Sequence, residues 1–215
     1  FEVDRKIGSG SFGYVFLAKH ITTGRQFALK QLSKNELVQK RQLRYALTEL
    51  DVLKRSDNPF IVRLHYAFQT KDYLYMAMTY CPNGTLSTSL IDSEEMIARN
   101  GQLSVEDAII YICELIVAIE FLHDMDVLYR DLKPENLLIG NDYHLLLSDF
   151  GLAKTEIGPK DFTESFCGSP LYVSPEMLVH GKANRMSDIY GIGAVMYEMV
   201  HGHTLFECED IGEAF

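Results

Sequence analysis

Tyr129-Arg130-Asp131-Leu132-Lys133-Pro134-Glu135-Asn136, followed further on by Asp149-Phe150-Gly151, is the stretch on which the reading of this chain turns. An aspartate, a lysine and an asparagine crowd into one short loop within an apolar neighbourhood. Burying such groups is costly unless they are paired or bind ions. Asn136 and Asp149 are oxygen ligands of the kind that suits Mg²⁺, which favours oxygen donors and bridges phosphates. Asp131 can accept a hydroxyl proton, and Lys133 can hold a moving phosphoryl group.

Toward the N-terminus lies Gly8-Ser9-Gly10-Ser11-Phe12-Gly13-Tyr14-Val15. Glycines let a backbone approach phosphate oxygens and present N–H groups to them. A dinucleotide-binding fingerprint should open a helix, whereas Tyr14–Lys19 reads as a strand. The Gly-Lys-Ser/Thr ending of a nucleotide-triphosphatase loop is also missing, so a hairpin folding over phosphates fits better. Lys30 ends the strand Phe27-Ala28-Leu29-Lys30, and Glu49 sits on a leucine-striped helix. Taken singly, each is an ordinary surface residue; they gain meaning only together with the loop.

The layout supports that grouping. Strand patterns cover Phe1–Ile7, Tyr14–Ala18, Phe27–Lys30, Ile61–Phe68 and Tyr73–Met78. Leu43, Leu47, Leu50 and Leu53 recur at helical spacing, predicting one helix over 36–55 with a single apolar stripe. After the connector Pro82-Asn83-Gly84 the character turns helical. Ser104 with Asp107 forms a helix start signal. Ala108–His123 is apolar almost all round, as a buried helix would be, and Ile189–Val200 reads as another helix. These elements predict an α+β, bilobal fold: a β-rich lobe over 1–79 and a larger helical lobe over 80–215.

Bulk properties exclude other classes. Formal net charge is −10 over 215 residues, which argues against nucleic acid, whose binders carry basic patches. An acidic surface is compatible with basic peptides or proteins. No apolar run reaches the roughly 20 residues a membrane span requires, and no signal peptide opens the chain. Cys81, Cys113, Cys167 and Cys208 are scattered, so neither a disulfide framework nor a zinc site is expected. A reducing compartment follows: cytoplasm, with the nucleus also open.

Taken in order, the glycine loop, Ala28-Leu29-Lys30, Glu49, Arg130-Asp131-Leu132-Lys133-Pro134-Glu135-Asn136, Asp149-Phe150-Gly151 and Ser174-Pro175-Glu176 resemble the eukaryotic protein kinases along the whole chain. The resemblance implies ATP and Mg²⁺ as cofactors. It implies that Lys30 holds the α- and β-phosphates and pairs with Glu49. Gly8, Ser9, Gly10, Ser11, Phe12 and Gly13 would cover the phosphates. Val15, Ala28 and Leu138 would sandwich the adenine, with Met78 as gatekeeper and Thr79 to Cys81 as the hinge. Asn136 and Asp149 would bind the metal, and Asp131 would deprotonate the substrate hydroxyl beside Lys133. The rival reading is an ATP-binding pseudokinase scaffold.

Lys133 two residues after Asp131 is the serine/threonine form of the loop. Thr163-Glu164-Ser165-Phe166-Cys167-Gly168-Ser169-Pro170 looks like the activation segment of the AGC group, and Phe60–Asp72 resembles protein kinase B. By that resemblance Ser165 is a phosphosite for an upstream activating kinase, clamped by Arg130 and Lys154. Glu135, Ser169 and Glu198 would recognise substrate, favouring basic residues before the acceptor, and the protein would act as a monomer. Some positions depart from the pattern: Thr85 replaces an acidic residue, Tyr45 a helix histidine, Leu171 a glutamate, Ser174 an alanine, and Tyr190-Gly191 a Trp-Ser pair. Ile91–Asn100 is longer than its counterpart, and three further helices are expected after Phe206, leaving the C-lobe truncated. Glu176 is expected to be buried without its arginine partner. Cys81 and Cys167 read as small half-buried residues rather than reactive thiols.

Overall fold

Apolar–polar alternation builds the first layer. The computed structural model describes residues 1–10, 13–88, 101–164 and 167–206. Ser11, Phe12, Ser165, Cys208 and the Ile91–Asn100 stretch therefore lie outside the described residues. Strands β1 (Glu2–Gly10), β2 (Gly13–Lys19), β3 (Gln26–Ser33), β4 (Leu64–Gln69) and β5 (Tyr73–Thr79) form one antiparallel sheet, in the order β1-β2-β3-β5-β4. Successive side chains of a strand point to opposite faces. On β3, Phe27 and Leu29 pack with Ala18 and Ala77 on one face, which leaves Ala28 and Lys30 for the other.

Between β3 and β4 the single helix expected over 36–55 is two: α1 (Lys34–Gln39) and α2 (Leu43–Arg55). Arg41 adopts a left-handed conformation (φ 55°). Gln42 N donates to Leu37 O at 2.7 Å and Arg41 N to Val38 O at 3.1 Å. This pairing terminates helices and normally employs glycine; with arginine there, the sequence carries no stop signal. The buried face also differs from the leucine stripe. Ala46, Glu49, Val52 and Leu53 are buried, while Leu43 and Leu47 are exposed.

The strand expected over Ile61–Phe68 joins the sheet only at Leu64. Its first residues pair downward instead: Val62 N donates to Leu147 O at 2.9 Å, and Leu147 N to Phe60 O at 2.8 Å. That backbone clasp ties the sheet to the helical half. There, α3 (Val105–Asp124) starts at Ser104, whose side chain accepts from Asp107 N as the start signal predicts. The hairpin β6 (Leu137–Ile139) and β7 (Leu145–Leu147) follows, then α4 (Pro175–His180) and α5 (Arg185–His201). Asn184 and Ser187 form a reciprocal capping box at the start of α5.

The expectation of an all-round buried α3 is corrected. Ala108, Leu115, Ala118, Ile119 and Leu122 are buried, but Ile109, Ile110, Ile116 and Val117 are exposed. Among the described elements α3 packs chiefly on α5 and β7, so one face is enclosed. The main core runs from Val52, Leu53 and Met76 through Leu115, Leu137 and Leu147 to Phe150 and Val195. No helix among the described residues is long and apolar enough to cross a membrane.

Candidate active site

The carbonyl-to-amide register of the sheet sets the upper part of the site. Val15 lies opposite Lys30 across β2–β3, and Ala28 opposite Met78 across β3–β5. Of the glycines in the hairpin, Gly13 has the plainest steric reason. A Cβ there would fall 1.8 Å from Gln31 O, whereas one on Gly10 would meet nothing within 4 Å among the described residues. Gly13 thus permits the close β2–β3 approach. At the hinge, Thr79 N donates to Arg63 O at 3.0 Å and its hydroxyl meets His65 Nε2 at 3.1 Å. Cys81 is buried, and burial pushes its thiol up to about 11. This thiol stays protonated, in line with the inert reading; burial raises that of Cys167 as well. Leu138 in β6 bridges to Thr85, just past the hinge.

Lys30 and Glu49 come together. The Lys30 ammonium donates to Glu49 Oε1 at 2.5 Å and reaches Asp149 Oδ1 at 3.4 Å. Burial works against the Lys30 charge, but the two carboxylates outweigh it and hold the ammonium above its usual range. Burial pushes the Glu49 carboxyl up, with Lys30 pulling the other way. Lys30 holds the Asp149 carboxyl below the usual carboxylate range, and Gly151 N donates to it at 3.2 Å. Asp149 itself sits at φ 50°, an orientation sterically unfavourable for a non-glycine residue. Its neighbour Phe150 is fully buried and meets the Tyr129 ring edge-on at 5.5 Å.

Below, Asp131 is the centre of a dense network. Lys133 Nζ lies 3.0 Å from Asp131 Oδ2. Asn136 Nδ2 donates to the Asp131 backbone carbonyl and to Oδ2, both at 2.8 Å. With its amide N–H groups so engaged, Asn136 has its oxygen left as the ligand atom. Ser169, expected to touch substrate, reaches this network: its hydroxyl donates to Asp131 Oδ1 at 3.1 Å while accepting from Lys133 Nζ at 2.9 Å.

Residues the sequence reading passed over hold this loop in place. Asp188, buried on α5, accepts from Tyr129 N at 2.9 Å and Arg130 N at 2.8 Å. His123 Nε2 meets the same carboxylate at 2.8 Å. Arg130 takes φ 72° there, a strained conformation that these bonds offset. The signal in the sequence was a carboxylate placed immediately before the apolar run Ile189–Val200. Glu114 does comparable work for the β6–β7 hairpin, accepting from Leu145 N at 2.8 Å and from His144 Nδ1 at 2.5 Å.

Among the expected recognition residues, Glu135 is exposed and Glu198 half-buried. Tyr172 donates to Glu198 Oε2 at 2.5 Å; burial raises the Glu198 carboxyl, and the Glu135 charge adds to that. Arg130 Nε donates to Leu152 O at 2.8 Å, and the Lys154 backbone pairs with Leu128; Ser165, their expected phosphate partner, is outside the described residues. Glu176 is not an orphan: it is partly exposed and accepts from Ser187 Oγ at 2.9 Å.

Known proteins are similar to this chain over nearly its whole length. Protein kinase 3 of Dictyostelium discoideum is 39% identical over 96% of this chain and 23% of its own length. Serine/threonine-protein kinase Sgk1 of Danio rerio is 38% identical over 100% of this chain and 48% of its own length. Serine/threonine-protein kinase akt-1 of Caenorhabditis elegans is 37% identical over 100% of this chain and 38% of its own length. The chain thus spans between about a quarter and a half of these relatives. The family profile described as "Protein kinase domain" matches residues 1–214, and the chain belongs to that family.

Proposed function

We propose that this chain transfers the γ-phosphoryl group of ATP to serine or threonine hydroxyls of protein substrates. The observation that carries this reading is the convergence on Asp131 of Lys133, Asn136 and Ser169, facing the cross-layer set Lys30–Glu49–Asp149. The acceptor oxygen attacks the γ-phosphorus, the bond to the bridging β–γ oxygen breaks, and ADP departs. The acceptor proton passes to the Asp131 carboxylate. Ser169 and Lys133 fix that carboxylate's orientation, and Lys133 adds a positive charge beside the transferring group. Lys30, kept charged and aimed by Glu49, binds the phosphates of ATP.

The Asn136 oxygen and the ionised Asp149 carboxylate are an oxygen donor pair that fits Mg²⁺. When bound, Mg²⁺ neutralises charge on the phosphates. Asp149 is suited to that role because Lys30 keeps it ionised.

The substrate preference we infer is for basic residues ahead of the acceptor. Residues 80–215 hold 23 of the 30 Asp/Glu and 7 of the 20 Lys/Arg, and Glu135 and Glu198 lie near enough for one to perturb the other. An upstream kinase acting on Ser165, phosphate contacts from Arg130 and Lys154, a monomeric state, and a cytoplasmic or nuclear setting complete the proposal.

The test is γ-phosphate incorporation by the full-length protein into a serine peptide scanned with arginine, wild type beside Asp131→Asn. A positioned base contributes about 10²–10⁴-fold, so incorporation should fall by that factor while nucleotide binding persists. Equal incorporation by the variant sinks the role of Asp131. Indifference to arginine position sinks the basic preference alone.

A further inference from the structure

β4 and β5 fall out of step at one residue. Leu64 pairs with Met78 and Tyr66 with Ala77, so His65 is the extra residue of a bulge. Successive side chains of a regular strand alternate between faces, whereas a bulge re-aims one of them. Here two neighbours turn to the same side. The His65 ring meets the Phe27 ring edge-on at 5.2 Å, and the Tyr66 ring meets it edge-on at 5.6 Å. Phe27 belongs to the sheet face of Leu29 and Ala77, opposite the face left for Ala28 and Lys30.

On that face His65 reaches the end of β5. Its Nε2 lies 3.1 Å from the Thr79 hydroxyl, while the Thr79 N–H donates to Arg63 O at 3.0 Å. Thr79 also pairs with Phe27 across β3–β5, and it is the last residue of β5 before the connector 80–83. At the far end of the connector, Asn83 Nδ2 donates to Gly140 O at 2.6 Å, and Ile139 N donates to Gly84 O at 2.9 Å. The connector is thus clamped at both ends, and His65 supplies a side-chain part of the clamp on the sheet. Burial lowers the His65 pKa, and the Arg25 and Arg63 charges add to that. The ring is therefore neutral at pH 7. A neutral imidazole and a hydroxyl can each donate or accept, so the bond needs no charge.

We propose that His65 is a positioning residue for nucleotide binding: it fixes Thr79 from behind the sheet and so sets the hinge backbone beside which the adenine of ATP packs. The inference rests on the reading of Thr79 to Cys81 as that hinge. His65 acts through the Thr79 backbone, because its ring lies on the face opposite Ala28. A hinge held in place before ATP arrives loses less freedom on binding. Removing the bond therefore weakens nucleotide binding rather than the transfer step.

Calorimetric titration of MgADP into the full-length protein tests this with wild type, His65→Ala, His65→Gln and Thr79→Val. Binding of ADP is read without any phosphoryl transfer. The net worth of one hydrogen bond predicts dissociation constants about 3–10-fold higher in His65→Ala and Thr79→Val. His65→Gln, whose amide can reach the same hydroxyl, should recover most of the affinity. The double variant His65→Ala/Thr79→Val should bind no more weakly than either single one. In steady-state assays His65→Ala should raise KM for ATP with kcat nearly unchanged. Equal MgADP affinity in wild type and His65→Ala overturns the proposal even where Tm falls, because the ring would then serve the sheet alone. Additive losses in the double variant, or no recovery in His65→Gln, overturn it too. The expected binding pattern without peptide phosphorylation would uphold it and sink the transfer reading, whereas no MgADP binding by wild type would sink both.

Discussion

Two charged clusters meet at this site, and they are assembled in opposite ways. The cluster around Asp131 is mostly local: Lys133 and Asn136 come from the same turn, and Ser169 is its one distant member. The cluster around Lys30 is wholly long-range, joining β3, α2 and Asp149, two residues past the β6–β7 hairpin, with Lys30 and Asp149 separated by 119 positions. A local cluster keeps its geometry as long as its own turn is held. A long-range one exists only when separate layers are docked, so its ion pairs report on how sheet and helices sit together. Asp131, the proposed proton acceptor, belongs to the local set, and Lys30, the proposed phosphate ligand, to the one that depends on docking.

The strongest way to break this contrast is to remove the floor of the local cluster. Asp188→Ala leaves the Tyr129 and Arg130 amides and His123 without their shared carboxylate, and should destabilise the protein by about 3–5 kcal/mol in urea unfolding. A loss under about 1 kcal/mol would mean that the Asp131 turn holds itself. Next, Lys30→Met and Glu49→Gln should each lower kcat/KM by about 10–100-fold, from charged hydrogen bonds worth about 1.5–3 kcal/mol. If the two act as one unit, the double variant is no worse than Lys30→Met. Additive losses would show that Glu49 has a separate role.

Ser169→Ala probes the distant member of the local cluster. One hydrogen bond of about 1 kcal/mol predicts a fall in kcat of about 5-fold, with Ser169→Thr retaining activity. Equal activity in the alanine variant would show that Lys133 alone positions Asp131. The smallest effect concerns pH. The Glu114 hydrogen bond and charge raise the His144 pKa, so the stabilisation is fully present below its ordinary value of about 6.5 and fades as pH rises through the higher folded value. Tm should drop slightly between about pH 6 and about pH 8 in wild type, and less in His144→Asn. Parallel curves for the two proteins would remove His144 from the account.

Much of the fold was legible where local rules suffice. The Ser104 start, the Tyr73–Met78 strand and the α5 region followed from capping chemistry and periodicity. The failures share one cause, which is that neighbours override pattern. Arg41 ends α1 in a conformation where glycine is the usual residue, so nothing in the sequence announced it. Ile61 and Val62 carry strand-like side chains yet pair with β7. The leucines of α2 have helical spacing, but the docked face is the one holding Glu49. At the site, residue types and their order singled out Asp131, Lys133, Asn136, Asp149, Lys30 and Glu49, which the structure gathers into two clusters. Residue types and order did not identify Asp188, His123 or the hydroxyl bond from Ser169.

The sequence by itself determined the inventory: a glycine hairpin, a lysine at a strand end, a glutamate on a helix, and a dense Asp–Lys–Asn turn, whose polar groups cannot be buried without partners. Tertiary structure alone decided which partners those were. It placed Asp149 within reach of Lys30, set Asp188 beneath two backbone amides, and brought Ser169 to Asp131. Hydrogen bonds act over about 3 Å, and only packing brings residues far apart in the chain within that distance.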